Sequence, residues 1–143
     1  MGDPTGGATA FDAAVIDEFR ANGGRVGGSL AGIMITLVHH VGARSGQERV
    51  APLVCSPQDD GRLVVVASNG GSPTHPAWCH NLRAHPRVTI ELGTETFTVL
   101  AEELDGDARA EVWGRLVAAS PSLRQFQERT TRTIPVFALT RTG

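Results

Sequence analysis

The chain has 143 residues and a mass of 15.1 kDa, which suits one domain able to bury a core without metals or disulfides. Its net charge of −2, with 41% hydrophobic and 20% charged residues, is ordinary for a globular protein and gives no pointer to a nucleic-acid polymer as partner. All 13 basic residues are arginine, so every cation is a planar fork suited to phosphate or carboxylate and none is a lysine nucleophile.

Residues 1–9 read as a flexible tail and residues 10–143 as a single domain. Phe11, Val15 and Phe19 recur at i, i+4 and i+8, one face of a helix that stops at Asn22-Gly23-Gly24. Such a stripe usually faces a core; a substrate lid or a peripheral membrane contact is the alternative. Ile33 to Val41 reads as a strand buried on most of both faces, Gly42 to Gly46 as a turn, and Val50 to Cys55 as a second strand. After the turn signal Asp59-Asp60-Gly61, Leu63 to Ala67 is a third strand, almost purely valine. Pro76 to Ala84 is a short helix with proline at its first position. Val88, Ile90 and Leu92 alternate with polar residues as in a half-buried strand, and Gly93-Thr94 is a hairpin turn into Thr96 to Glu102.

Ala108, Val112, Leu116 and Ala119 form a helical face ended by Pro121, and a short helix follows around Leu123 to Arg129. Ile134 to Thr140 is a last strand, with Pro135 tolerated only near its start or at an edge. About six strands joined largely by turns predict a mainly β fold with flanking helices (α+β), a small barrel. A doubly wound sheet would need a helix after nearly every strand.

Three segments carry candidate chemistry. Gly42-Ala43-Arg44-Ser45-Gly46 can turn its N–H groups into an anion nest, with Arg44, Ser45 and Arg49 as further donors; the plain reading is a solvated hairpin turn. Ser68-Asn69-Gly70-Gly71-Ser72-Pro73 offers small side chains against which a flat heterocycle can lie, or is simply a connection. The helix start at Thr74-His75-Pro76-Ala77-Trp78 favours an anion, and Trp78 either packs on a ring edge or belongs to the core. The five histidines lack an acidic or cysteine set that would make a metal site, and Cys55 and Cys79 form no zinc or CxxC spacing. Unpaired cysteines and the lack of signal-peptide features point to a cytoplasmic location, with membrane association only through the first helix.

In order and spacing, these segments resemble the deazaflavin (coenzyme F420)-dependent nitroreductase and quinone reductase family. The resemblance rests on Gly42-Ala43-Arg44-Ser45-Gly46, Arg49, Pro52-Leu53, Ala67-Ser68-Asn69-Gly70-Gly71, and His75-Pro76-Ala77-Trp78-Cys79-His80-Asn81-Leu82. Asn22 to Gly28 and Gln127 to Val136 extend it, so that it covers roughly residues 11–141. It implies a split β-barrel of the flavin-binding type that binds reduced F420 and passes its hydride to a hydrophobic conjugated acceptor, a quinone, enone or nitro compound. The cofactor-binding residues it implies are Gly42, Arg44, Ser45, Gly46, Arg49, Pro52, Ala67, Ser68, Asn69, Gly70, Gly71, Ala77 and Trp78. The anionic tail falls to Arg44, Ser45 and Arg49, and the ring to Ser68 to Gly71 and Ala77-Trp78. A proton, if the protein supplies it, comes from Ser68 or His75, and otherwise from solvent.

The chain departs from the family at Ala43, where a second basic residue is usual, and at Cys79, often tyrosine. Leu123 and Phe126 stand where nitro-reducing members carry pocket tyrosines, which puts nitroimidazole and menaquinone reduction in question. The same barrel admits two other readings: a non-catalytic carrier of a lipid, haem or similar ligand, and an FMN oxidoreductase. Monomer and homodimer are both compatible with the sequence.

Overall fold

A computed structural model of the chain describes residues 10–142, so the tail expected over residues 1–9 lies outside it, as does the side chain of Phe11. Six strands, β1 (Ile35–Val41), β2 (Glu48–Pro57), β3 (Leu63–Val66), β4 (Arg87–Leu92), β5 (Glu95–Glu103) and β6 (Val136–Arg141), close a barrel in the order β1-β2-β3-β6-β5-β4. Every pair is antiparallel, and β1 returns to β4 through Leu37↔Glu91, Val38↔Ile90 and His39↔Thr89. Four helices surround it: α1 (Ala10–Ala21), α2 (Ala77–Ala84), α3 (Gly106–Ala119) and α4 (Ser122–Glu128). The expected split barrel with flanking helices is therefore the observed architecture.

Alternation of side chains along each strand explains the layers. Val38, Leu63, Val65, Val88, Ile90, Val99, Phe137 and Leu139 point into the barrel, and Trp78, Cys79 and Leu82 of α2 join the same cluster. The opposite face of β1, Ile35 and Leu37, packs with Val15, Ile16 and Phe19 of α1. The described part of the α1 stripe is thus taken up by the barrel rather than offered to a lid or a membrane. Val64, Val136 and Ala138 face outward under Val112 and Leu116 of α3. The strand at residues 63–66 is valine-rich because it has interior on both sides, barrel lumen on one and α3 on the other.

Boundaries differ from expectation where backbone geometry intervenes. The first strand starts at Ile35, since Gly32 has φ +79° and leaves Ile33 and Met34 exposed at 42% and 45%. Pro76 caps α2 instead of opening it, because its ψ of 154° is extended; Cys79 N–H still bonds its carbonyl at 3.0 Å. Pro135 precedes β6, where its missing N–H costs no ladder bond, and its carbonyl accepts from Ala67 N–H at 2.9 Å.

Candidate functional site

A cleft with a volume of about 570 Å³ opens between the β1–β2 turn and the start of α2, and is lined by Gly42, Ala43, Arg44, Ser45, Arg49, His75, Ala77, His80 and Asn81. That volume is within the range of small-molecule sites.

The turn is built for approach. Gly42 N–H bonds Gln47 O at 2.8 Å, Gly46 N–H bonds Gly42 O at 2.9 Å, and Ala43 N–H bonds Asn81 Oδ1 at 2.9 Å. The glycine N–H groups expected to form a nest are therefore occupied within the turn, and Arg44 and Ser45 line the cleft beside it. A Cβ at Gly42 would collide with Ser45 Oγ unless that hydroxyl turned aside, and Gly46 has φ +70°, a conformation that favours glycine. Asn81, 5% exposed, ties the turn to α2 and donates from Nδ2 to His40 Nδ1 at 2.8 Å. His40, on the lumen side of β1, is held neutral: burial, then the charges of Arg49 and His39, lower its pKa to about 4.

The segment after β3 is ordered differently from the open loop the sequence suggests. Asn69–Gly71 forms a 3-10 turn, with Gly71 N–H on Ser68 O at 2.9 Å and Ser72 N–H on Asn69 O at 3.1 Å. Gly71 (φ +81°) is needed because a Cβ there would lie 2.7 Å from Phe126 O and 3.0 Å from Arg129 Cβ. Its missing side chain makes room for α4. Arg132, in the connection from α4 to β6, holds the segment from below: Nε–H to Ser72 O (2.8 Å), Nη2–H to Ser68 O (2.8 Å), Nη1–H to Ala67 O (3.2 Å) and Nη1–H to His75 Nδ1 (2.8 Å).

Of the residues expected from sequence, Gly42, Arg44, Ser45, Arg49, His75 and Ala77 line this one cleft. Gly46 closes the turn behind it, and Pro52 sits within β2 opposite Leu37. Ala67 is fully buried in the barrel cluster, and Ser68 with the 3-10 turn Asn69–Gly71 is not among the lining residues. Trp78, 9% exposed, stacks at a tilt on Phe137 with ring centroids 6.0 Å apart, a core role. Sequence reasoning passed over Asn81 and Arg132 as organising residues. Asn81 carries a readable signal, a polar side chain among the buried residues of a short helix; Arg132 carries none, because its partners lie 57 to 65 positions away.

A small closed antiparallel barrel with two arginines, a serine turn and a helix start around one cleft defines a protein class: a six-stranded barrel with a polar cleft of ligand size. The family described as F420H2-dependent quinone reductase matches residues 13–141. The chain belongs to that family, and as a member it is an F420H2-dependent oxidoreductase whose cofactor is reduced coenzyme F420. It is 38% identical over 129 residues to an F420H2-dependent quinone reductase of Mycobacterium tuberculosis, covering 86% of this chain and 85% of that one. Among solved structures it is similar to F420-H2 dependent reductase FDR-A at 38% identity and a TM-score of 0.66, covering 73% of this chain and 92% of the other. A structure described as a domain-swapped dimer matches with the same identity and score over 73% and 78%. The haem storage protein HutZ of Vibrio cholerae, 16% identical with a TM-score of 0.56 over 90% and 88%, shares the fold alone. These relations do not favour the carrier or FMN readings. None of the described helices is long and apolar enough to cross a membrane.

Proposed function

We propose that the cleft between the Gly42–Gly46 turn and α2 is where this reductase holds F420H2, with the anionic tail on Arg44, Ser45 and Arg49. The observation that carries this is convergence: Arg44, Arg49, Ser45 and the start of α2 line one space of ligand size. Cations, donors and a helix start all favour phosphate and carboxylate. Bound F420H2 supplies a hydride to a conjugated acceptor. Toward the ring we place Ala77, Ser68, Asn69 and Gly70, while Gly42, Gly46, Pro52, Ala67, Gly71 and Trp78 shape the backbone around it. Ser68 and His75 are the candidate side chains at the proton-requiring end. A hydrophobic quinone is the acceptor class closest to the family description, and a cytoplasmic homodimer is the form we expect.

Fluorescence titration of oxidised F420, with FMN in parallel, tests the placement. Saturable F420 binding without FMN binding is expected, weakened about tenfold or more by Arg44→Ala and again by Arg49→Ala, since a lost charged hydrogen bond is worth ~1.5–3 kcal/mol. Two variants that bind as the parent does would remove the tail from this turn.

A further inference from the structure

We infer that His75 presents a neutral imidazole whose Nε2–H is the hydrogen-bond donor to an oxygen acceptor in the cleft, and that Arg132 is the positioning residue that enforces this state. The identity of that oxygen, on the conjugated acceptor, rests on the function proposed above; the state of the ring does not.

A guanidinium has five N–H donors and no lone pair. The 2.8 Å contact between Arg132 Nη1 and His75 Nδ1 therefore runs from arginine to histidine. Nδ1 keeps its lone pair, and the single ring proton sits on Nε2. A doubly protonated ring would set N–H against N–H across this contact. Arg132 cannot swing away cheaply, because three carbonyls of one segment, Ala67, Ser68 and Ser72, grip its fork.

Electrostatics acts in the same direction. Among the described residues Arg132 forms no ion pair, whereas neighbouring Arg83 is bound through two 2.8 Å contacts to Glu103. The charged and titratable groups facing His75 are Arg132, Arg83 and His80 on one side of the balance and Glu103 alone on the other. Burial, then Arg132, Arg83 and His80, holds the imidazole below its ordinary pKa. His80 packs against His75 at a tilt, with centroids 5.6 Å apart. Nε2 takes no protein partner among the described residues, and His75 lines the cleft.

A neutral imidazole is too weak an acid to give up its last proton. Its function is to stabilise negative charge that develops on a carbonyl or nitro oxygen as hydride arrives, while the proton comes from solvent or Ser68. Preorganised donors of this kind act where charge appears in the transition state.

The state of the ring is read directly by long-range 1H–15N correlation on 15N-labelled protein, with His75→Gln providing the assignment. At pH 7 a lone-pair Nδ1 and a protonated Nε2 are expected, with imidazolium forming only below the pH at which free histidine titrates. Arg132→Lys keeps a cationic donor and should keep this tautomer. Arg132→Met should raise the proton affinity of His75 and mix the tautomers; if it does not fold, the parent and Arg132→Lys spectra decide. An Nδ1–H tautomer or an imidazolium at pH 7 in the parent overturns the inference. With F420H2 and menadione, His75→Leu should lower kcat about 10²–10³-fold with KM for F420H2 little changed, and His75→Gln should recover most of the loss. An unchanged kcat in His75→Leu overturns the donor role. A parent that binds no F420 but shows the Nε2–H tautomer would sink the proposed function and leave the Arg132–His75 arrangement supported.

Discussion

Asn81 and His40 form a directional pair: the Asn81 amide donates to His40 Nδ1 at 2.8 Å because its oxygen is already committed to Ala43 N–H at 2.9 Å. Asn81→Asp keeps the acceptor for Ala43 but turns the other atom into an oxygen, which can meet Nδ1 only if that nitrogen carries a proton. The His40 pKa should rise from about 4 to its ordinary value or above. NMR titration of His40 checks this, and an unmoved midpoint would mean that the amide does not set the ring's state.

Acid stability follows from the same residue. The folded pKa of His40 is about 4 against an ordinary 6.5, so the unfolded chain binds the proton first. The stabilisation is complete above pH 6.5 and is lost as pH falls toward 4; His75, also lowered, acts in the same sense. Denaturant unfolding at pH 7 and pH 5 should differ by about 2 kcal/mol. His40→Gln, which retains an acceptor for the Asn81 amide, should remove most of that difference. Equal stability at the two pH values would show that His40 is hydrated in the folded protein.

Gly71→Ala tests the packing of α4 on the 3-10 turn. A Cβ there meets Phe126 O at 2.7 Å in a backbone conformation of φ +81°. Left-handed strain and overpacking together should cost about 2–4 kcal/mol, read as a lower denaturant midpoint. A cost below about 0.5 kcal/mol, the level of a neutral surface change, would place α4 further from the turn.

The two cysteines should be inert in the native state. Burial raises Cys55 to about 12 and Cys79 to about 11, and the thiolate is the reactive form. Ellman's reagent at pH 8 should find neither thiol until denaturant is added, and then both. Native labelling at the rate of a free thiol would contradict the burial of α2.

The barrel was legible because its signals are local. Alternation at Val88, Ile90 and Leu92, the Gly93-Thr94 turn and the position of Pro135 each follow from a few neighbouring residues. The cleft was legible in part, since Arg44, Ser45, Arg49, His75 and Ala77 come from two short segments that the fold sets face to face. What escaped was long-range. Gly71 looks in sequence like room for a ring, yet the occupant of that space is Phe126 of α4. Trp78 reads equally as ring support or core until Phe137, from the far end of the chain, is seen against it. Arg132 is one of 13 arginines, and only the folded chain shows that its fork closes on Ala67, Ser68, Ser72 and His75.

Strand β6 lies between β3 and β5, so it closes into a barrel the sheet that the other strands form in the order β3-β2-β1-β4-β5. Until it docks, β3 and β5 are exposed edges of that sheet, able to pair with another chain. Arg132 sits immediately upstream of that strand, on the same connection. The strand that closes the barrel and the guanidinium that reaches His75 are thus carried by one connection. Amide exchange along Val136 to Leu139 should then track the integrity of the cleft.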